Sequence, residues 1–116
     1  MRRPTISDTG SAVTLDLHGA RVHEAEDLVL DVAELAARRG RSTLRVVYGA
    51  STTDRDGANR TVKTAVLALL DAGELDRWIA SELVREGSAT FGLKLSGASD
   101  PRRIALADVR DAPGGR

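Results

Sequence analysis

The sequence predicts an α/β domain: a two-layer sandwich with a βαβα core, a mixed sheet and a closing β-hairpin. Three observations carry this. The apolar period changes from two, to that of a helix, and back to strand-like between Val13 and Tyr48. A second helical stretch follows an Arg-containing polar loop, and the last third returns to apolar-polar runs around Arg85-Glu86-Gly87-Ser88. At 116 residues the chain supports one such core, since two independent cores need about 200 residues or more.

Residues 1–11 have no period and hold Pro4, Gly10 and four Ser/Thr, so a flexible tail is expected there. The domain is expected over residues 12–110. Val13-Thr14-Leu15-Asp16-Leu17-His18 alternates, which directs Val13, Leu15 and Leu17 to a core and leaves Asp16 and His18 on the other face. After Gly19, the residues Val22, Ala25, Leu28, Val29, Val32, Leu35 and Ala36 recur at helical spacing. Acids crowd the start of this helix, Arg38-Arg39 its end, and Gly40 fits a left-handed cap. Thr43 to Tyr48 is β-branched and aromatic, a second strand. Strand, helix and strand in this span make a βαβ unit with parallel strands and a right-handed crossover.

The C-terminal ends of both strands therefore open on one edge. There lies the polar loop Gly49 to Gly57, followed by a helix expected from about Ala58 to Asp71 and stopped at Gly73. Runs Leu75–Val84 and Ala89–Leu95 form the hairpin, with Trp78 on the first run a core or hairpin anchor. Asp100-Pro101 marks a turn, and Ile104 to Val109 is a candidate extra C-terminal edge strand. Residues 111–116, with Pro113-Gly114-Gly115, are expected to be a second loose end.

Composition narrows the function. With 41% apolar and 29% charged residues the chain is ordinary globular material. No cysteine is present, which removes disulfides, thiolate metal sites and cysteine nucleophiles. Neither a membrane span nor a secretory leader is visible, so a cytoplasmic location is expected. Seventeen basic residues balance seventeen acids, yet they segregate. Pro4 to Ala37 holds Arg21 against seven acids, whereas Arg38 to Lys63 holds seven basic residues against Asp54 and Asp56. The second segment is basic enough to meet an anion; the plain alternative is a solvated helix end and an Arg-rich loop.

Asp16 and His18, two apart at a strand end, are expected to project from one face about 6 to 7 Å apart. Such a pair can serve one substrate group: imidazole moves a proton near neutral pH, and a carboxylate orients it, activates a hydroxyl or holds a metal. The structural alternative has Asp16 capping the next helix and His18 bonding backbone. The polar pair, the Gly49 loop and the start of the second helix converge on the edge where open α/β sheets bind ligands. Backbone N–H groups, the helix dipole, Arg60 and Lys63 favour a phosphate there.

Leu15-Asp16-Leu17-His18-Gly19, followed by Glu24-Ala25 on a helix, resembles the opening signature of the Smr (small MutS-related) domain family. Gly57-Ala58-Asn59-Arg60 is similar to its Gly-x-x-Arg helix start, and Glu86 to Thr90 to its glycine-rich turn before the last strand. The resemblance runs from about Val13 to Leu95. It departs at Tyr48-Gly49-Ala50-Ser51, where the family has His-Gly-x-Gly or Thr-Gly-x-Gly and only Gly49 is kept. The resemblance implies endonuclease activity on DNA or RNA, with Asp16 and His18 catalytic. It implies phosphate contacts from Gly49, Ser51, Arg55, Gly57, Arg60 and Lys63. A divalent ion such as magnesium, held by Asp16, is expected only if DNA is cut. A binding module without catalysis, and a protein-interaction domain using the candidate edge strand, stand as alternatives. His23 reads as a solvated helix residue, Ser51-Thr52-Thr53 as loop hydroxyls, and no Gly-x-x-x-x-Gly-Lys motif for an ATPase is present.

Overall fold

Two kinds of apolar spacing, alternating in the strands and helical between them, have to be buried against each other, and a single layer of helices on a sheet does this. Residues 4–48, 62–94 and 104 are described in a computed structural model of the chain. They form β1 (Thr5–Asp8), β2 (Ala12–Asp16), α1 (Val22–Arg38), β3 (Thr43–Val47), α2 (Val62–Asp71), β4 (Ile79–Val84) and β5 (Ser88–Leu93). The sheet order is β1-β2-β3-β5-β4. β2 and β3 run parallel and the other neighbours antiparallel, the mixed sheet expected of a βαβ unit closed by a hairpin.

Val13, Leu15 and Leu17 are buried, as are Leu44 and Val46 of β3 and Ala89, Phe91 and Leu93 of β5. They meet Ala25, Leu28, Val29, Val32, Ala33 and Ala36 of α1 and Val66 of α2 in one core. Alanine at three of these α1 positions brings the helix backbone close to the sheet. Gly40, at φ 76°, ends α1: its N–H reaches the Ala37 carbonyl at 3.1 Å and the Arg41 N–H reaches Ala36 at 3.0 Å. That pattern satisfies two carbonyls a helix end leaves open. The same arrangement recurs after α2, where Gly73 and Glu74 donate to Leu70 and Leu69.

Two expectations are corrected. The flexible tail over residues 1–11, ahead of a domain starting at 12, contains β1, which pairs antiparallel with β2 from Thr5–Asp16 to Asp8–Val13. No period was visible because only Ile6 of this four-residue strand packs on the core, while Asp8 replaces the second apolar residue. The run Leu75–Val84 is a strand only from Ile79. Trp78 and Ile79 donate back to the Leu75 carbonyl, so the segment after Gly73 turns before it extends. Trp78 accordingly lies just ahead of β4, packed on the core rim, with the Arg77 guanidinium 5.5 Å from its ring centroid. The expected start of helix two at residues 58–61, the candidate strand over 105–109 and the tail 111–116 lie outside the described residues.

What replaces the apolar residue at Asp8 is an ion pair. Arg41 Nε donates to Asp8 Oδ1 at 2.9 Å and Nη2 to Oδ2 at 3.0 Å, and both side chains are fully buried. Nη1 donates to the Arg39 carbonyl, while Asp8 also accepts the N–H groups of Gly10 and Ile104. Burial works against the Asp8 charge, but the Arg41, Ile104 and Gly10 hydrogen bonds and the guanidinium charge together hold its carboxyl below the usual value. Among the described residues no buried side-chain polar atom lacks a partner, and no helix is long and apolar enough to cross a membrane.

Candidate functional site

Leu17 donates its N–H to the Val47 carbonyl at 2.8 Å, one step beyond the last residue of β2. The chain then reverses: the Ala20 N–H returns to the Leu17 carbonyl at 2.9 Å. His18 is the second residue of this turn and Gly19 the third, at φ 88°, a backbone conformation that a side chain beyond hydrogen strains. The Leu-Asp-Leu-His-Gly run is thus a strand end that buries two leucines, a turn glycine, and two polar residues held at the exit.

Asp16 and His18 touch, rather than standing the 6 to 7 Å apart that a continued strand would give. Asp16 Oδ1 accepts the His18 backbone N–H at 2.9 Å and lies 2.5 Å from His18 Nδ1. The reason for the difference is the turn, which folds His18 back over the strand end. Asp16 caps the turn by accepting the His18 N–H, and the His18 ring meets its carboxylate. An ionised carboxylate can only accept, so in the neutral form of the ring this contact puts the hydrogen on Nδ1 and the lone pair on Nε2. Both side chains are about one-third exposed.

α1 begins three residues after Gly19, so the first-turn N–H groups of the helix open at the same end. Glu24 holds that start by accepting the Arg21 N–H at 3.4 Å, and Ala25 is fully buried. The acid-alanine pair is therefore a cap and a close contact.

Tyr48, at the end of β3, is buried. Its hydroxyl lies 2.8 Å from the Arg85 carbonyl and 3.0 Å from that of Ser88, and its N–H donates to Gly87. Burial pushes its phenol up. Tyr48 thus ties the hairpin turn to the parallel pair, and its oxygen is spent on backbone. Lys63 Nζ lies 5.9 Å from the centroid of the Tyr48 ring, which brings the start of α2 to this end too. Of the other expected phosphate contacts, Gly49, Ser51, Arg55, Gly57 and Arg60 lie outside the described residues.

The basic segment from Arg38 to Lys63 does not act as a unit. Arg38 pairs with Glu34 at 2.7 Å, Arg39 caps α1, and Arg41 is buried with Asp8. All three stand at the end of β3 away from His18. Arg45, exposed on β3, and Arg85, exposed in the hairpin turn, are nearer, and the sequence reading assigned neither to the site. Their signal was positional: Arg45 alternates with buried Leu44 and Val46, and Arg85 closes the turn by donating its N–H to the Ser88 carbonyl. His23 is solvated, its side chain 92% exposed near Glu26. Among the described residues no three His, Cys, Asp or Glu side chains gather at one point.

No curated protein and no solved structure matches the chain. The family model of the Smr domain, a domain that binds nucleic acids and often nicks them, matches residues 15–89, which span the turn at His18, both helices and the hairpin as far as Ala89. The match covers well over half of the sequence and begins on the run that builds the turn, and the chain therefore belongs to the Smr domain family.

Proposed function

We propose that this domain is an endonuclease that cleaves the phosphodiester backbone of a nucleic acid at the Asp16–His18 pair. The observation that carries the reading is the bond from His18 Nδ1 to Asp16 Oδ1. It fixes the ring orientation and tautomer, leaves Nε2 as the working nitrogen, and gives the imidazolium formed during reaction a counter-charge. With RNA, Nε2 takes the proton of the 2′-hydroxyl as that oxygen bonds to phosphorus. The P–O5′ bond breaks, and the proton passes from the imidazolium to the leaving oxygen. With DNA, an attacking water replaces the 2′-hydroxyl as the source of that proton. The reading is simplest for RNA, whose nucleophile is already in place.

Charge on the transferring phosphate needs opposing charge nearby. The N–H groups of the first turn of α1 and the side chains of Arg21, Lys63 and Arg85 are among the described groups toward that end, while Arg55 and Arg60 are assigned by resemblance to the family. No step is drawn through a metal ion.

A second reading has its own observation. Tyr48 stands where the family's loop generally carries His or Thr, and its hydroxyl is bonded to backbone carbonyls. His18 then has no second acid or base from that position, which favours a module that binds without cutting. The two readings separate on labelled single-stranded RNA, duplex RNA and supercoiled DNA, each with magnesium or chelator. Cleavage by the wild type that is lost in His18→Ala and Asp16→Asn, with binding kept, supports the endonuclease. Binding without cleavage under every condition supports the module and overturns the first reading.

A further inference from the structure

Among the described residues, both helices pack on one face of the sheet and none lies on the other. The register assigns residues to the uncovered face in rows. Thr5, Asp16, Val47 and Ser88 form the row nearest the His18 turn; Ser7, Thr14, Arg45, Thr90 and Leu83 form the next; Ala12, Thr43, Gly92 and Ser81 the third. Apart from Val47 and Leu83 no large apolar side chain occurs in these rows, so the face is not built to pack against a second sheet or another helix layer.

Arg45 is at the centre. It is exposed, and it makes no hydrogen bond or ion pair with any described residue, whereas Arg38 and Arg41 are both engaged. Its neighbours across the strands, Thr14 and Thr90, are short hydroxyl residues that leave the guanidinium standing clear. Its row holds no carboxylate. Asp16 is on the same face, one strand across and two residues further along, roughly 8 Å away by strand spacing and rise. The only acid of the three rows is thus the one bonded to His18.

We propose that this uncovered face carries the flank of a single nucleic-acid strand into the Asp16–His18 site, with Arg45 contacting a phosphate and the Ser and Thr hydroxyls beside it offering further hydrogen bonds. The proposal rests on the endonuclease reading for the position of the scissile bond, and on charge and continuity with that site for the occupant. An Arg fork in a ring of short hydroxyls suits a phosphate.

The test is binding of labelled single-stranded RNA and DNA across a salt series by the wild type, Arg45→Thr, Arg45→Lys and His18→Ala, with urea unfolding of each. Threonine suits an exposed strand position, so Arg45→Thr should stay folded. Arg45→Thr is expected to bind about two- to fivefold more weakly, with a log–log salt slope shallower by about 0.7, the share of one phosphate contact on a single strand. Arg45→Lys is expected to restore the slope. Wild-type affinity and slope in Arg45→Thr would overturn the proposal while leaving cleavage at His18 standing. Cleavage by His18→Ala at the wild-type rate would overturn the endonuclease reading and leave the Arg45 contact intact. A wild type that binds neither single strand, or that self-associates through this face, would overturn the Arg45 proposal, and the cleavage assay with duplex RNA and supercoiled DNA then decides the endonuclease reading separately.

Discussion

Two aspartate–base pairs stand at opposite ends of the parallel strands β2 and β3. At one end Asp8 and Arg41 are fully buried, and Asp8 also takes two backbone N–H groups. At the other, Asp16 and His18 are joined by a contact at least as short but are about one-third exposed. The chemistry of pairing is the same; burial decides what it is for. A buried pair cannot meet a solute, and its removal strands an unpaired charge. An exposed pair contributes little to stability because water and salt screen it, and that same access lets it meet a substrate. The difference also explains why a cluster of arginines in sequence is a poor guide to anion binding here: among its described members Arg38 and Arg39 stand at the end of the sheet away from His18 and Arg41 is in the core.

The largest effect should come from breaking the buried pair. Arg41→Ala leaves Asp8 buried and uncompensated, an expected loss of about 3 to 5 kcal/mol in urea unfolding. Replacing both partners by apolar residues of similar volume should cost less than the single change. Next, His18→Ala should slow cleavage by about 10²- to 10⁴-fold while moving the unfolding free energy by under about 1 kcal/mol. A large stability loss there would erase the contrast between the two ends.

Acid sharpens the comparison. The folded Asp8 carboxyl lies below its ordinary value, so over that window the unfolded chain binds more protons and stability rises with pH. The Asp8 contribution is present above the usual carboxylate pKa of about 4 and is lost as pH falls through the lower folded value. Urea midpoints measured between neutral pH and strong acid should show this fall, and Asp8→Asn, less stable at neutral pH, should flatten it.

The smallest effect is at Tyr48. Tyr48→Phe removes the hydroxyl bonded to the Arg85 and Ser88 carbonyls and should cost about 1 kcal/mol. Because burial raises the folded phenol's pKa, the wild type should lose stability as pH rises past about 10, and Tyr48→Phe should lose less.

The core and the order of elements were legible because alternation and helical spacing are local and strong: β2, α1, β3 and α2 fall where the periods place them. β1 was not legible, since a strand with one core apolar residue and a buried aspartate has no period to read. Nor was Arg41: its partner is 33 positions away, and nothing local separates a core arginine from its neighbours Arg38 and Arg39. The site's residue pair was legible from the Leu-Asp-Leu-His-Gly run, but its geometry was not. Strand spacing alone holds the two side chains apart, and the turn at Gly19 brings them together. Arg45 passed as one member of a basic run because its face depends on which side the helices cover.

The most direct test sets the two ends side by side: cleavage per folded molecule and urea unfolding for the wild type, His18→Ala and Arg41→Ala. The account predicts that His18→Ala unfolds with the wild type and does not cut, while Arg41→Ala unfolds far earlier and its folded fraction still cuts. A His18→Ala variant that cuts normally, or a wild type that binds nucleic acid but never cuts it, would contradict it.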